Sequence, residues 1–189
     1  APAAGTGRST TFTTSDDRGL VSRRSAPFVA TGNPGDGRVN VDSAPNYTID
    51  LYDALGRTTA TWTMHGSAFV SATSTAYAGS MVTTTSAEGR MRSTMTNTLG
   101  DLVRVIQRDG DSGAPYAETS YRYTVGGLLT GITDAHGNTT THTYDNLGRK
   151  TASVDPDAGP WSYGYDDDGL QTSVTDGLGA TTTTVYDEA

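Results

Sequence analysis

Along its last third the chain alternates between aromatic and small polar positions. Tyr121 and Tyr123 flank Arg122, His142 and Tyr144 flank Thr143, and Tyr163 and Tyr165 flank Gly164. A period of two places each pair on one face of a β-strand and sets the intervening Thr and Ser on the other. The alternating runs last about six or seven residues, an ordinary strand length. Between them stand two kinds of turn signal. One is Asp145-Asn146-Leu147-Gly148, the other Asp155-Pro156-Asp157-Ala158. Asp at the first position and Gly at the fourth suit a type I turn closed by a G1 bulge, and Pro suits the second position. The Asp-x-x-Gly spacing returns at Asp134–Gly137 and Asp176–Gly179. Each unit is therefore expected to be a β-hairpin, and successive hairpins an antiparallel meander. Tyrosines on one face are expected to stack in cross-strand pairs. Over 46–52 the pattern conflicts, because Tyr47, Ile49 and Leu51 point opposite to Tyr52; that strand is buried on both faces or its register slips.

The hairpins are periodic. Tyr123, Tyr144, Tyr165 and Tyr186 are 21 residues apart, and Gly127, Gly148 and Gly169, Thr130, Thr151 and Thr172, and Asp134, Asp155 and Asp176 keep the same step. A fixed period of this length marks a chain built by stacking one small unit. Tyr52-Asp53-Ala54-Leu55-Gly56-Arg57 repeats as Tyr144-Asp145-Asn146-Leu147-Gly148-Arg149, and the register persists more weakly through Tyr77 and Thr96. Unit starts fall at 52, 77, 96, 123, 144, 165 and 186, and the long step before 123 contains the turn-like insertion Asp109–Gly113. The expected organisation is a linker or loosely ordered lead-in over 1–45, with breakers at Gly32–Gly37, then a repeat array over 46–189. The array is degenerate over 77–122 and regular over 123–189.

Composition narrows the function classes. Hydrophobic residues make up 34% and aromatics 8%, lean for one compact core, while Gly, Thr, Ser and Asp favour short strands and turns. A net charge of -8 argues against electrostatically driven binding to nucleic acid or anionic lipid. The absence of cysteine removes disulfides, thiolate zinc sites and a thiol nucleophile. No apolar stretch approaches the roughly 20 residues that span a bilayer, so no membrane insertion is expected.

The Tyr-Asp-x-x-Gly-Arg run at Tyr52–Arg57 and Tyr144–Arg149, with partial copies at Tyr165-Asp166-Asp167-Asp168-Gly169 and Tyr186-Asp187, resembles the YD-repeat or RHS-repeat family. Asp155–Asp166 is similar to a stretch typical of its bacterial members. The resemblance is specific over 121–189 and moderate over 46–120. It implies an all-β fold of hairpin repeats, a curved sheet spiralling into a hollow shell, in secreted bacterial toxins, insecticidal toxin complexes and teneurins. It also implies a secreted or cell-surface location and, as partners, flanking repeats or a C-terminal domain of a longer polypeptide. Carbohydrate binding is attributed to such repeats as well. The self-cleaving core of bacterial members has no counterpart here, so the expected role is wall without payload.

The residues that define the repeat are thus Tyr52, Asp53, Gly56, Arg57, Tyr123, Gly127, Asp134, Gly137, Tyr144, Asp145, Gly148, Arg149, Asp155, Tyr165, Asp166, Gly169, Asp176, Gly179, Tyr186 and Asp187. Their expected role is structural, with no catalytic residue, cofactor or metal. Asp166–Asp168 is locally acidic but lacks the distal Glu of a calcium loop. His65, His136 and His142 stand in no motif that pairs a base with a nucleophile. The tyrosines and Trp161 offer stacking faces for sugars, the alternative function. Open sheet edges offer self-association.

Overall fold

The computed structural model describes residues 9–29, 46–110 and 112–187. Their regular structure is all β, in seventeen strands. Strands β1 (Ser9–Thr10) and β4 (Phe28–Val29) pair as a two-stranded sheet. The other fifteen form one open antiparallel sheet in chain order. They are β2 (Thr13–Ser15), β3 (Val21–Ser25), β5 (Asn46–Tyr52), β6 (Thr58–His65), β7 (Ala68–Ala78), β8 (Met81–Thr85), β9 (Met91–Thr96) and β10 (Leu102–Arg108). Then follow β11 (Pro115–Tyr123), β12 (Leu129–Thr133), β13 (Thr139–Tyr144), β14 (Lys150–Asp155), β15 (Gly159–Tyr165), β16 (Gln171–Thr175) and β17 (Thr181–Thr183). Among the described residues no helix is long and apolar enough to cross a membrane. The chain divides into two compact units, residues 1–78 with 82–91 and residues 79–81 with 92–189.

In the first unit, the described part of the lead-in expected over 1–45, residues 9–29, holds the short strands β1 to β4 and the turns between them. Asp16-Asp17-Arg18-Gly19 closes a hairpin, with the Asp16 N–H donating to the Leu20 carbonyl at 2.7 Å. Strand β3 then pairs with β5 through Arg23↔Ile49, Arg24↔Thr48 and Ser25↔Tyr47. Composition concealed this because the apolar contribution comes from two rings. Phe12 and Phe28 are buried edge to face at 6.5 Å, with Tyr47 packed against them. The Phe12 N–H donates to the buried Ser25 hydroxyl at 2.8 Å. The breaker cluster Gly32–Gly37 lies outside the described residues.

Strand β5 resolves the conflict over 46–52 in the second of the expected ways, since its pairing with β6 shifts between Leu51 and Tyr52. Its register with β6 runs from Asn46↔His65 to Leu51↔Ala60 and then jumps to Tyr52↔Thr58. Ile49 and Leu51 share a face with Trp62, and that face is partly open, with Leu51 37% and Trp62 39% exposed.

In the second unit the regular hairpins alternate as expected. Tyr121 opposes Ile132, Ile132 opposes Thr140, His142 opposes Ser153, Ser153 opposes Trp161, and Tyr163 opposes Val174. These residues line one face, with Thr, Ser, Gly and Ala prominent on the other. The degenerate stretch also forms strands. Its insertion closes the β10–β11 hairpin, the Asp109 N–H donating to the Ala114 carbonyl at 3.0 Å. The turn after Asp155 closes one residue later than Asp155–Ala158 implies, since Asp155 pairs with Gly159. Val105 and Ile106 are the buried hydrophobics of this unit among the described residues, and no described side chain is fully buried.

Candidate functional site

The recurring residues meet at one rim of the meander, and the hairpin of β13 and β14 shows how. Tyr144 ends β13. The Gly148 N–H then donates to the Asp145 carbonyl at 3.0 Å, and the Asp145 N–H to the Arg149 carbonyl at 2.9 Å. Gly148 stands at φ 80, the left-handed region that a type I turn with a G1 bulge requires and that costs glycine no Cβ clash. One oxygen of the Asp145 carboxylate accepts from the Leu147 and Arg149 N–H groups, both at 2.9 Å. Aspartate is needed because a two-oxygen acceptor can cap the turn and still hold the arginine. Arg149 Nε donates to its second oxygen at 2.6 Å.

The periodic threonine has a role that spacing alone did not reveal. The pairs Thr143↔Ala152 and Tyr144↔Lys150 leave Thr151 unopposed, a β-bulge one residue into the return strand. Thr130 and Thr172 are skipped in the same way, and Thr59 in the first unit. The bulge interrupts the ladder next to the turn.

The tyrosine hydroxyl works at that interruption, one hairpin back. Tyr144 donates to the Leu129 carbonyl and Tyr165 to the Lys150 carbonyl, both at 2.8 Å. Tyr123 donates to Leu102 at 2.8 Å, Tyr77 to Thr58 at 2.9 Å, Tyr52 to Val21 at 2.6 Å and Tyr186 to Gln171 at 3.1 Å. Every acceptor is the first residue of the strand beside the tyrosine's hairpin. Each bond stitches one hairpin to the turn of the one before it, and such a bond is worth about 1 kcal/mol net. The expected ring stacking is therefore replaced. Ring pairs among the described residues are Phe12–Phe28, Phe12–Tyr47 and Trp62–Phe69. The stitching tyrosines meet arginines instead. Arg57 lies 4.2 Å from the Tyr77 ring centroid and Arg149 4.9 Å from that of Tyr165.

Arg149 completes the latch by donating to the Asp166 carbonyl at 3.0 Å, on the next turn of the same rim. Arg18 does likewise, reaching the Asp53 carbonyl at 2.6 Å and the Tyr52 ring at 6.0 Å. It acts from inside its turn, ahead of Gly19, and the Asp16-x-x-Gly19 spacing was the signal that could have revealed it. At the unit opening at Thr96 the turn survives, Asn97 accepting from the Leu99 and Asp101 N–H groups at 2.9 Å, but no phenol is present.

The second turn series lies on the opposite rim. Asp134 accepts from His136 and Asn138 N–H groups at 2.9 and 2.8 Å, Asp176 from Leu178 and Ala180 at 2.9 and 2.8 Å. Asp155 accepts from Asp157 and Ala158, and from the Thr140 hydroxyl at 2.8 Å. Here Gly177 abuts the Ala158 carbonyl and Gly159 so closely that a methyl group would collide with main chain. That contact was not legible in the sequence.

These hydrogen bonds set the electrostatics. The Arg149 side chain, opposed by desolvation and helped by two backbone N–H groups, holds the Asp145 carboxyl below its ordinary value of 3.8. The Arg57 backbone does so first for Asp53, and the Asn138 side chain first for Asp134. His142 contacts the Ser153 hydroxyl at 3.0 Å, and desolvation, then Lys150, lowers its pKa. Among the described residues no group of three or more His, Asp or Glu could hold a metal ion. The constellation that the repeat builds satisfies main-chain groups. Of the predicted residues, Asp145, Arg149, Tyr165 and Asp166 are brought into one cluster, while Asp134, Asp155 and Asp176 stand apart on the other rim.

Residues 123–160, which carry the turns that open at Tyr123 and Tyr144, match the family model described as RHS Repeat. That stretch is an RHS repeat. The fold of the chain is that of several Tc toxin structures. The crystal structure of TcdB2-TccC3-Cdc42 superposes with a TM-score of 0.69 at 17% identity, over 93% of this chain and 10% of that one. TcdB2-TccC3 without its hypervariable C-terminal region gives 0.66 at 15%, over 93% and 9%. The Photorhabdus luminescens Tc holotoxin pore gives 0.51 at 16%, over 93% and 10%. At these identities the likeness is one of fold, and the chain spans about a tenth of each neighbour's length. No curated protein matches it.

Proposed function

We propose that this chain is a non-catalytic segment of a shell wall, in a secreted or surface-displayed toxin-like protein, that encloses or presents another polypeptide. The observation that carries the reading is a sheet held at its rims. Stitches, bulges and turn caps repeat with the hairpin, while no described side chain is fully buried. A globular domain draws its stability from a core; a sheet fastened along both margins can extend without one. Nearest-neighbour fastening is also what lets a repeat array grow by addition. The likeness to Tc toxin structures supports the same reading. Flanking repeats and an enclosed domain are the partners it implies. Cryo-electron microscopy of the complete gene product is expected to show the hairpin strip closing around density from another chain segment. A strip with solvent on both faces and nothing enclosed would overturn it.

One observation favours a second reading, a glycan- or protein-binding module. Trp62 and Phe69 form an edge-to-face pair at 6.1 Å and remain 39% and 59% exposed. Ligand-induced change in Trp62 fluorescence across a glycan panel tests it, and a flat response in every case counts against it.

A further inference from the structure

Taking the Trp62 surface as a binding site, as in the second reading above, we infer that it receives an extended peptide. A carboxylate of that peptide pairs with Arg23, and an apolar side chain packs on Trp62. Arg23 is the unmet group. Its guanidinium lies 4.5 Å from the Tyr47 ring centroid and 5.7 Å from that of Phe12, and its Nε is buried with no hydrogen-bond partner. Among the described residues it makes no ion pair. Aromatic faces attract a guanidinium but leave its N–H donors unbonded. A charge withdrawn from water in this way is costly until an anion meets it.

The strands around Arg23 supply no such anion. Pairing runs Thr14↔Arg23, Arg23↔Ile49, Ile49↔Trp62 and Trp62↔Ala72, so these residues share one face of β2, β3, β5, β6 and β7. The single carboxylate in those strands is Asp50, which stands on the other face and accepts from the Thr61 hydroxyl at 2.7 Å. Arg24, the other arginine in them, also lies on that opposite face, since it pairs with Thr48. A lone guanidinium suits a planar carboxylate, which its fork meets with two parallel bonds.

The surface beside Arg23 sets the rest of the ligand. Trp62 is flanked by Ile49 and Ala72 across the sheet and by Ala60 and Met64 along its own strand. None of the four can bond a sugar hydroxyl, so the exposed indole favours an apolar side chain over a glycan. Phe69 meets it at an interplanar angle of 89°, which makes a ridge and not a flat stacking platform. Arg23 and Trp62 are two strand spacings apart, about 10 Å, the reach of about three extended residues.

The test uses the full chain carrying Trp161→Phe, which leaves Trp62 as its one indole. The probes are short peptides with one Asp placed two to four residues from a Phe. Titration of Trp62 fluorescence is expected to show binding below about 1 mM for at least one spacing, and about tenfold weaker binding when that Asp is replaced by Asn. Arg23→Met keeps an apolar stem on the rings and is expected to erase the difference between the Asp and Asn peptides. The Asp-to-Asn comparison leaves the chain untouched, so it decides the matter even where Arg23→Met disturbs folding. No binding at about 1 mM across the set, or equal binding of Asp and Asn peptides, overturns the inference. A response to an oligoglucuronate with none to the peptides also overturns it, while the second reading stands; silence toward both removes the two together. Self-association of the chain that Arg23→Met abolishes overturns it as well, because the occupant is then a second copy.

Discussion

The two units follow one rim plan and opposite face plans. In the first, Tyr52 shares its side of β5 with Asp50 and Thr48, while Ile49 and Leu51 join Trp62 on the other. In the second, Tyr165 shares its side with Tyr163 and Trp161, and the opposite side carries Ser162 and Gly164. Charge divides as sharply. Residues 1–78 with 82–91 hold seven basic and seven acidic residues; residues 79–81 with 92–189 hold six and fourteen, so the net -8 belongs to the second. Yet turn, bulge, stitch and arginine latch recur in both. What the period conserves is the fastening of one hairpin to the next, and the faces are free to change.

If that is right, rim changes cost stability and face changes do not. The largest expected effect is Gly177→Ala, because the methyl meets the Ala158 carbonyl and Gly159, main chain that cannot swing away. A loss of about 2–3 kcal/mol in urea unfolding is expected. Gly179→Ala, with no atom within 4 Å but φ 84, is the milder companion at about 1 kcal/mol. Arg149→Met, which takes the guanidinium from the Tyr165 ring, is expected to lose on the order of 0.5–1 kcal/mol. Arg18→Met in the first unit is expected to match it, since Arg18 reaches the Asp53 carbonyl and the Tyr52 ring in the same way. Unequal losses would break the claim of a common rim.

Acid probes the same fastening. Asp53, Asp134 and Asp145 have folded-state pKa values below the ordinary 3.8, so their contribution is full above that value and is lost as pH falls through the depressed ones. Thermal melts are expected to be flat across neutral and mildly acidic pH, and to fall only below the ordinary carboxylate range. A midpoint that falls already near pH 6 would point to His142 instead. Smallest of all is Val154→Thr, on a face where Val154 is 47% exposed, expected to shift unfolding by no more than about 0.5 kcal/mol.

Much of the architecture was legible because period-two alternation and Asp-x-x-Gly turns are local signals. Tyr144, Asp145, Gly148 and Arg149 could be named as one unit without knowing what they touched. Their chemistry was less legible. Tyrosines on one face suggested stacked rings, but a phenol at a strand end can reach the carbonyl that a bulge exposes, and the bulge at Thr151 shows only in the pairing register. The strands of residues 9–29 were hidden because a Gly-, Ser- and Arg-rich average outweighed two phenylalanines far apart in sequence. The Gly177–Gly159 approach joins two turns and leaves no trace in either alone.

The most direct measurement is a Tyr→Phe series read by equilibrium urea unfolding. Tyr52, Tyr77, Tyr123, Tyr144 and Tyr165 donate to the first carbonyl of a neighbouring strand. Tyr116, Tyr121 and Tyr163 make none of these bonds and serve as controls. Rim fastening predicts a loss of about 1 kcal/mol at each stitching position and nearly none at the controls. Equal losses in the two sets would mean that the rings, and not the hydroxyl stitches, hold the hairpins together.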